Sequence, residues 1–241
     1  MAVLRRRRTV AQAHLLSVLT GQLDDLIPGD PRPLDVVDLG GGTGGLAIDI
    51  ARLGHRVTVV DPSPDALASL ERRTADAEVR GSVEGRQGDA ADLVDVVGER
   101  AADVVVCHRV LEVVDSPADA LGAMAAVLRP GGALSLLVSQ KRALVLSQAL
   151  AGHPGLARRT WADPSRFDYD ALVILVRQAG FELIAADGIG AIADLVPEAV
   201  TDGDLEAYAD LAALEAAVSQ DPAFRALAPQ VHLFGRVPAG H

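Results

Sequence analysis

The sequence is short of the residues on which disulfide-bonded, metal-binding and membrane-spanning proteins depend. It has one cysteine, Cys107, in 241 residues, which excludes an internal disulfide and any cysteine-rich metal site, so we expect no metal. It has no apolar run of the ~18 residues that a membrane span requires. The residues after Arg5–Arg8 lack the continuous apolar segment of a secretory signal. These absences favour a cytoplasmic enzyme without a membrane partner.

Lysine is almost absent, and the balance of charge is acidic. Of 22 basic residues only Lys141 is a lysine, and 33 acidic residues bring the net charge to −11. Because phosphate contacts need concentrated cations, this balance disfavours a general nucleic-acid binder. Two local clusters run against it, Arg5–Arg8 and the group of Arg158, Arg159 and Arg166. We interpret Arg5–Arg8 as a solvated tail, as runs of like charge near a chain end commonly are.

What the sequence does have is a regular alternation of short apolar runs and helical patterns. Apolar spacing predicts a helix over 10–27, followed by a proline-rich break at 28–33. The alternation from residue 34 onward predicts an α/β fold, a Rossmann-like, mostly parallel sheet with helices on both faces and an antiparallel last strand. Predicted strands lie at 34–39, 56–60, 83–88, 102–107, 132–139, 181–187 and 230–237. Predicted helices lie at 44–53, 64–76, 91–97, 117–128, 141–151, 168–179 and 205–219. A loop or lid is predicted over 156–167.

The most informative stretch is Asp38-Leu39-Gly40-Gly41-Gly42-Thr43-Gly44-Gly45, which joins an apolar run to a helix-like run. A strand that turns through glycines into a helix leaves backbone N–H groups unpaired at the helix start. Glycine lets a ligand approach that backbone, because it has no Cβ atom. Asp61 follows 21 positions after Gly40, at the end of the next apolar run. An acidic residue so placed can bind a ribose diol, which predicts a nucleoside cofactor.

Two cofactor classes fit this glycine pattern, dinucleotides and S-adenosylmethionine. Gly40, Gly42 and Gly45 spell G-x-G-x-x-G, which enzymes of both classes carry. Asp38 favours the second class, because a carboxylate repels a dinucleotide phosphate and attracts the amine and the sulfonium of a methionine group. Asp89, after the third predicted strand, can accept a hydrogen bond from an adenine amino group. The residues therefore favour S-adenosylmethionine.

Five motifs occur in order between 34 and 139: VVDLGGGTG, VTVVDPSP, QGDAADL, ADVVVCHRVLEVV and VLRPGGAL. Through them the chain resembles the class I methyltransferases, which use S-adenosylmethionine and release S-adenosylhomocysteine. The resemblance implies a seven-stranded sheet whose last strand runs antiparallel. Because no linker divides the sequence, we expect one domain over 1–241. It would comprise an N-terminal helix and linker at 10–33, a cofactor-binding core at 34–139 and acceptor-side segments with the final strands at 140–241.

The resemblance also implies roles for individual residues. The implied cofactor contacts are Asp38, Gly40, Gly41 and Gly42 for the methionine part, Asp61 for the ribose, Pro62, Ser63, Asp89 and Ala90 for the adenine, and Cys107 and His108 for the sulfonium end. His108 is also the candidate catalytic base. A hydroxyl acceptor needs such a base, whereas a carboxylate acceptor does not.

Each of these assignments has a structural alternative. Asp38 can simply begin the turn. Asp61 can lie at a helix N-terminus, and Asp89 can cap the following helix. Cys107 can be a small buried apolar residue, and His108 can be a structural histidine. The sequence leaves these alternatives open.

Within the family, the chain is most similar to the tRNA 5-carboxymethoxyuridine methyltransferase group, which esterifies a wobble-uridine carboxylate. The similarity rests on VCHRVLEVVDSPADAL, VLRPGGALSLLV, ALVILVRQAGFELIAADGIG, LEAYADLAALEAAVSQDPAF and VHLFGR. The chain departs from that group at 228–230, where Ala-Pro-Gln replaces a basic and an aromatic residue, and at 153–167, which lacks a strongly basic run. We therefore expect a small-molecule acceptor bearing a carboxylate or hydroxyl. The alternatives are tRNA and, from another class, a non-catalytic S-adenosylmethionine-binding partner subunit.

Overall fold

The computed structural model describes residues 8–27 and 32–239, and within them seven strands form one sheet. The strands are β1 (Asp35–Leu39), β2 (Arg56–Asp61), β3 (Val83–Gln87), β4 (Ala102–His108), β5 (Leu128–Ser139), β6 (Glu182–Ile189) and β7 (Gln230–Arg236). Their order is β3-β2-β1-β4-β5-β7-β6. Strands β1 to β5 pair in parallel, whereas β7 is antiparallel to both of its neighbours. The predicted fold class and antiparallel last strand are confirmed.

Helices fill the connections between the strands. They are α1 (Val10–Asp24), α2 (Gly45–Arg52), α3 (Pro64–Asp76), α4 (Leu93–Val97), α5 (Pro117–Val127), α6 (Lys141–Leu150), α7 (Pro154–Ala162), α8 (Tyr169–Gln178), α9 (Glu198–Thr201), α10 (Leu205–Val218) and α11 (Pro222–Leu227). Among the described residues, no helix combines the length and the hydropathy that crossing a membrane would demand. Arginines 5–7 and residues 28–31 of the predicted break lie outside the described residues.

The chain divides into two compact units. One comprises Ile27–Val138, Asp170–Ala185 and Leu233–His241 and contains the glycine run. The other comprises Met1–Leu26, Ser139–Tyr169 and Ala186–His232. The expectation of a single domain over the whole chain stays a prediction.

Local sequence explains where several elements of the first unit begin. Every residue of the valine-rich β4 except the last is buried, as expected of a parallel strand that is covered on both faces. Helix α3 starts at Pro64, which suits a first turn, and the hydroxyl of Ser63 accepts a hydrogen bond from the N–H of Ala66 at 3.2 Å. Helix α5 repeats this arrangement with Ser116 and Pro117.

Helix α7 corrects the prediction of a loop or lid over 156–167. The helix begins at Pro154 and packs against α6, where Thr160 Oγ1 donates a hydrogen bond to Gln148 Oε1 at 2.9 Å. Only Ala157 and Thr160 of this helix are buried. An alanine and a threonine make a weak apolar stripe, which is why the hydrophobic pattern did not indicate a helix.

Strand β5 begins four residues before the strand predicted at 132–139. It starts at Leu128, and its register with β4 shifts across residues 129–132. The N–H of Gly131 donates to the carbonyl of Pro238 at 3.2 Å. This bond joins the stretch to a segment more than a hundred residues away, and no local signal in the sequence could have indicated it.

In the second unit, Glu215 of α10 holds the turn that follows β6. Its side chain is fully buried, and its two carboxylate oxygens accept hydrogen bonds from the N–H groups of four successive residues, 190–193, at 2.7–3.0 Å. Charge-assisted bonds of this kind are stronger than neutral ones. One side chain therefore orders a turn that has little regular structure of its own.

Glu215→Gln should lower the free energy of unfolding by about 2–4 kcal/mol. The amide would present one acceptor oxygen and one NH₂ group to four donors that now face two anionic oxygens. Denaturant unfolding at pH 7 measures the change. Asp210→Asn, a similar substitution at an exposed position of α10, should change the same quantity by less than about 0.5 kcal/mol. Equal losses in the two variants would contradict this role for Glu215.

Candidate active site

Three parallel strands bring the predicted cofactor residues to one edge of the sheet. Leu39 of β1 lies in register with Val60 of β2 and with Cys107 of β4. Because the strands are parallel, Asp61 and His108, which end β2 and β4, emerge at the same edge as the glycine run that follows β1. All of these residues belong to the first compact unit.

The glycine run makes a tight turn that a side chain would block. Gly40 has φ +69°, and a Cβ atom there would overlap the side chain of Val110. A Cβ atom on Gly41 would strike the carboxylate of Asp38. Helix α2 begins directly after the turn with no side-chain cap, so its first N–H groups have no partner within the helix. The turn thus presents bare backbone and the positive end of a helix.

Asp61 joins the glycine turn to the end of β2. Its Oδ2 atom accepts a hydrogen bond from the N–H of Gly42 at 2.9 Å, and its Oδ1 atom accepts one from the N–H of Ser63 at 2.9 Å. The residue is 8% exposed. Each carboxylate oxygen can accept more than one bond, so the same group that holds the turn can also receive two hydroxyls of a ligand.

Asp38 has a buried carboxylate. It is 3% exposed, and within the described residues its Oδ2 atom has no hydrogen-bond partner. Burial, and then the nearby charge of Asp61, raise the pKa of Asp38 to about 7. A buried carboxylate is costly to keep charged unless it is paired. The position therefore suits a cationic ligand group, such as an ammonium or a sulfonium.

Asp89 lies in the turn after β3 and is exposed. Its Oδ1 atom accepts a hydrogen bond from the N–H of Ala91 at 2.7 Å. That bond, followed by one with the Asp92 side chain, lowers the pKa of Asp89. Helix α4 starts later, with Asp92 as the residue before it, so Asp89 shapes the turn and does not cap the helix. Ala90 is buried.

Cys107 and His108 differ in what their side chains can do. Cys107 is fully buried, and burial, followed by the charges of Glu112 and Asp38, raises the pKa of its thiol to about 12. It packs as a neutral residue, so only its backbone can meet a ligand. The Nε2 atom of His108 lies 2.9 Å from the hydroxyl of buried Ser135. This hydrogen bond fixes the orientation of the imidazole ring.

Pro62 and Ser63 lie at the start of α3 and are exposed. The Ser63 hydroxyl is already used as the cap of that helix. The structure therefore leaves the pyrrolidine ring of Pro62 and the backbone of Ser63 as the parts available to a planar ligand group.

Sequence reasoning missed several residues of this edge. Glu112 lies close enough to Cys107 for its charge to raise the pKa of the thiol, and Ser135 orients His108. Arg109 has φ +61°, an uncommon backbone conformation for a residue other than glycine, and its N–H donates to the carbonyl of Leu137 at 2.8 Å. Such conformations cluster at functional sites. No pattern in the sequence marks a positive φ at an arginine.

A cavity of about 510 Å³ lies at the opposite, amino end of β1 and β2. Its charged lining forms ion pairs: Arg56 Nε lies 2.7 Å from Asp35 Oδ1, Arg86 lies 2.6 Å from Glu84, and Arg80 pairs with Glu71, which lies outside the lining. This cavity is remote from the glycine turn, and its ion pairs account for its charges. Among the described residues, no group of three or more histidine, cysteine or acidic side chains is placed to hold a metal ion.

Comparison with known proteins gives consistent matches. A family model described as "Methyltransferase domain" matches residues 37–136. The chain is 28% identical over 218 residues to tRNA 5-carboxymethoxyuridine methyltransferase of Escherichia coli (strain K12), covering 86% of this chain and 82% of that protein. It is 30% identical over 158 residues to ubiquinone biosynthesis O-methyltransferase of Burkholderia pseudomallei (strain 1710b), covering 64% of this chain and 67% of that protein.

A solved structure shows the same fold. It is that of Burkholderia thailandensis 1,6-didemethyltoxoflavin-N1-methyltransferase with bound 1,6-didemethyltoxoflavin and S-adenosylhomocysteine. It matches with a TM-score of 0.56 and 19% identity over 95% of this chain and 78% of that one.

S-adenosylmethionine suits the edge described above. The buried Asp38 carboxylate can face its positive charge, the bare glycine backbone permits close approach, and the Asp61 oxygens can accept from its ribose. Fold, domain match and relatives agree with that chemistry. The chain belongs to the class I S-adenosylmethionine-dependent methyltransferases.

Proposed function

We propose that this enzyme transfers the methyl group of S-adenosylmethionine to an oxygen atom of a small organic molecule, either a carboxylate or a hydroxyl. The observation that carries the proposal is the charge of the chain, −11 with 33 acidic and 22 basic residues. Binding of tRNA depends on cations that neutralise phosphates. The excess of carboxylates on this protein would repel the phosphates of a tRNA.

The segment 228–230 supports a small acceptor. Ala228 is fully buried, and its carbonyl accepts a hydrogen bond from Gln140 Nε2 at 2.9 Å. The carbonyl of Pro229 accepts one from the Gln140 N–H at 2.9 Å. This segment is held by its backbone and carries no cationic side chain. It offers no guanidinium group to a nucleotide carboxylate or phosphate.

The cofactor roles that we propose follow the geometry of the edge. Asp38 faces the cationic methionine end, over the backbone of Gly40, Gly41 and Gly42, and Asp61 accepts from the ribose hydroxyls. The remaining proposed contacts are Pro62, Ser63, Asp89 and Ala90 at the adenine, and the Cys107 backbone and His108 at the sulfonium end. The cofactor supplies an already activated methyl group. The protein therefore has to align the acceptor in line with the methyl–sulfur bond and exclude water.

His108 is the proposed catalytic base for a hydroxyl acceptor. Its hydrogen bond with Ser135 holds the imidazole in one orientation, and a general base must be held within reach of the proton it takes. A carboxylate acceptor is already nucleophilic and needs no base. With such an acceptor, His108 would only contribute to the shape of the site.

A second candidate acceptor is tRNA, and two observations favour it. The similarity to the tRNA 5-carboxymethoxyuridine methyltransferase covers 86% of this chain. Residues 139–169 are locally cationic, although the chain as a whole is acidic. In this segment the side chain of Trp161 is 58% exposed, and the Lys141 ammonium lies 5.6 Å from the centroid of its ring. Cations interleaved with aromatic rings suit nucleic acids. In this segment the cations are Lys141, Arg142, Arg158, Arg159 and Arg166, and the acids are Asp163 and Asp168.

An acceptor assay with labelled S-adenosylmethionine decides between the two. Aryl carboxylates, phenols and tRNA containing 5-carboxymethoxyuridine serve as acceptors. We expect label in the small-molecule fraction and none in the tRNA. Label in the tRNA that declines with salt and with the double substitution Arg158→Gln and Arg159→Gln would establish the second candidate instead.

Asp61→Ala should weaken S-adenosylmethionine binding by about 2–3 kcal/mol, because it removes charge-assisted hydrogen bonds to the ribose and releases the glycine turn. Isothermal titration calorimetry measures the change. Asp65→Ala, four residues on and exposed in the first turn of α3, is the matched control and should bind normally. Wild-type affinity in Asp61→Ala would remove the residue from the site.

His108→Gln should lower kcat for a phenol by about 10²–10⁴-fold, the usual contribution of a general base. The affinity for S-adenosylmethionine should fall by a much smaller factor than kcat, because His108 is only one of the proposed cofactor contacts. With a carboxylate acceptor the same substitution should leave kcat nearly unchanged. A phenol rate that survives the substitution would show that His108 is not the base.

A further inference from the structure

Asp61 is the last residue of β2, and Asp38 is the last but one of the neighbouring strand β1, at the edge of the sheet that carries the glycine turn. The two side chains differ in the hydrogen-bond donors that they meet. Asp61 accepts N–H bonds from Gly42 and Ser63, and bonds of this kind stabilise an ionised carboxylate. The Oδ2 atom of Asp38 has no such donor among the described residues. The two carboxylates of the pair therefore differ in their hydrogen-bond partners.

The surroundings of Asp38 provide nothing that would hold a charge on it. The residue is 3% exposed, and the backbone of Gly41 lies so close that a Cβ atom there would overlap Oδ2. From β2 it faces the charge of Asp61. From β4 comes the buried thiol of Cys107, whose pKa the charge of Asp38 helps to raise. Burial and Asp61 together raise the pKa of Asp38 to about 7.

We propose that Asp38 holds a proton in the cofactor-free protein and releases it to solvent when the positively charged methionine end of S-adenosylmethionine binds. The inference rests on the proposed role of this edge as the cofactor site. The cation then replaces the proton as the charge that balances the buried carboxylate. When the product leaves, Asp38 takes a proton back from water, so the cycle consumes none.

Methyl transfer changes the charge that Asp38 faces. The sulfonium of S-adenosylmethionine becomes a neutral thioether in S-adenosylhomocysteine, while the ammonium of the methionine group is retained. The ionised carboxylate therefore loses part of its compensation after transfer. Its proton returns more readily in the product complex, which weakens the hold on product relative to substrate.

Proton release on binding can be measured by titration calorimetry in two buffers of different ionisation enthalpy. With a group that titrates near pH 7, binding of S-adenosylmethionine should release about 0.9 protons at pH 6, about 0.5 at pH 7 and about 0.1 at pH 8. The sign follows from the raised pKa: the acid must ionise to bind, so affinity falls as pH falls. We expect about tenfold weaker binding at pH 6 than at pH 8.

Asp38→Asn identifies the group that releases the proton. This variant should bind S-adenosylmethionine more weakly than the wild type does. Its binding should release no proton from position 38, and its affinity should depend little on pH. Asp76→Asn, the same change at the exposed last residue of α3, should release protons as wild type does. Wild-type proton release in Asp38→Asn, or none in the wild type at pH 6, would overturn the inference.

A second measurement covers the case in which Asp38→Asn does not bind. Carbon NMR of aspartate carboxyl groups in the cofactor-free protein should show one that titrates near pH 7 and is missing from the variant. The lack of any such carboxyl in the wild type would contradict the inference. Failure of the wild type to bind S-adenosylmethionine at any pH would instead contradict the proposed cofactor site.

Discussion

The two hydrogen bonds that Asp61 accepts are the interaction on which the cofactor edge depends. The bond from Gly42 ties the turn after β1 to the end of β2, and the bond from Ser63 holds the start of the following segment. The N–H of Gly40 adds a backbone bond to the carbonyl of Val60 at 2.7 Å. The parallel register of β1, β2 and β4 then sets which other side chains share the edge. Loss of Asp61 would therefore loosen the backbone of the turn in addition to removing the ligand contacts that we propose for it.

Electrostatics distinguishes the two ends of the first compact unit. At the amino end of the strands, arginines and carboxylates pair directly, as in the contacts of Arg56 and Arg129 with Asp35. At the carboxyl end, Asp38 and Asp61 lie near each other, and burial, followed by the charge of Asp61, raises the pKa of Asp38. Exposed ion pairs contribute little to stability, whereas an unbalanced buried charge is costly. The cost is concentrated where a cationic ligand can offset it, which is typical of a binding site.

The sequence predicted the first half of the fold more closely than the second. Helix α3 has the predicted bounds, because Ser63 and Pro64 mark its start chemically. The Rossmann-like alternation followed from hydrophobic patterns, and the resemblance to the class I methyltransferases also implied the antiparallel last strand. Helix α7 was missed, since a stripe of Ala157 and Thr160 carries little apolar signal. At the candidate site, the acidic residues and the glycines could be identified from their spacing in the sequence. The positive φ of Arg109 and the Ser135–His108 contact were not, since they depend on tertiary structure.

Strand β7 follows β6 in the chain but lies between β5 and β6 in the sheet. During synthesis, β6 therefore has no neighbour in this sheet until residues 230–236 have left the ribosome. Until then β5 also presents an open edge, and open edges invite pairing with other chains. Assembly of the sheet is thus a late, non-local event. The nascent chain has to be kept from aggregating for longer than one whose strands pair in the order of their synthesis.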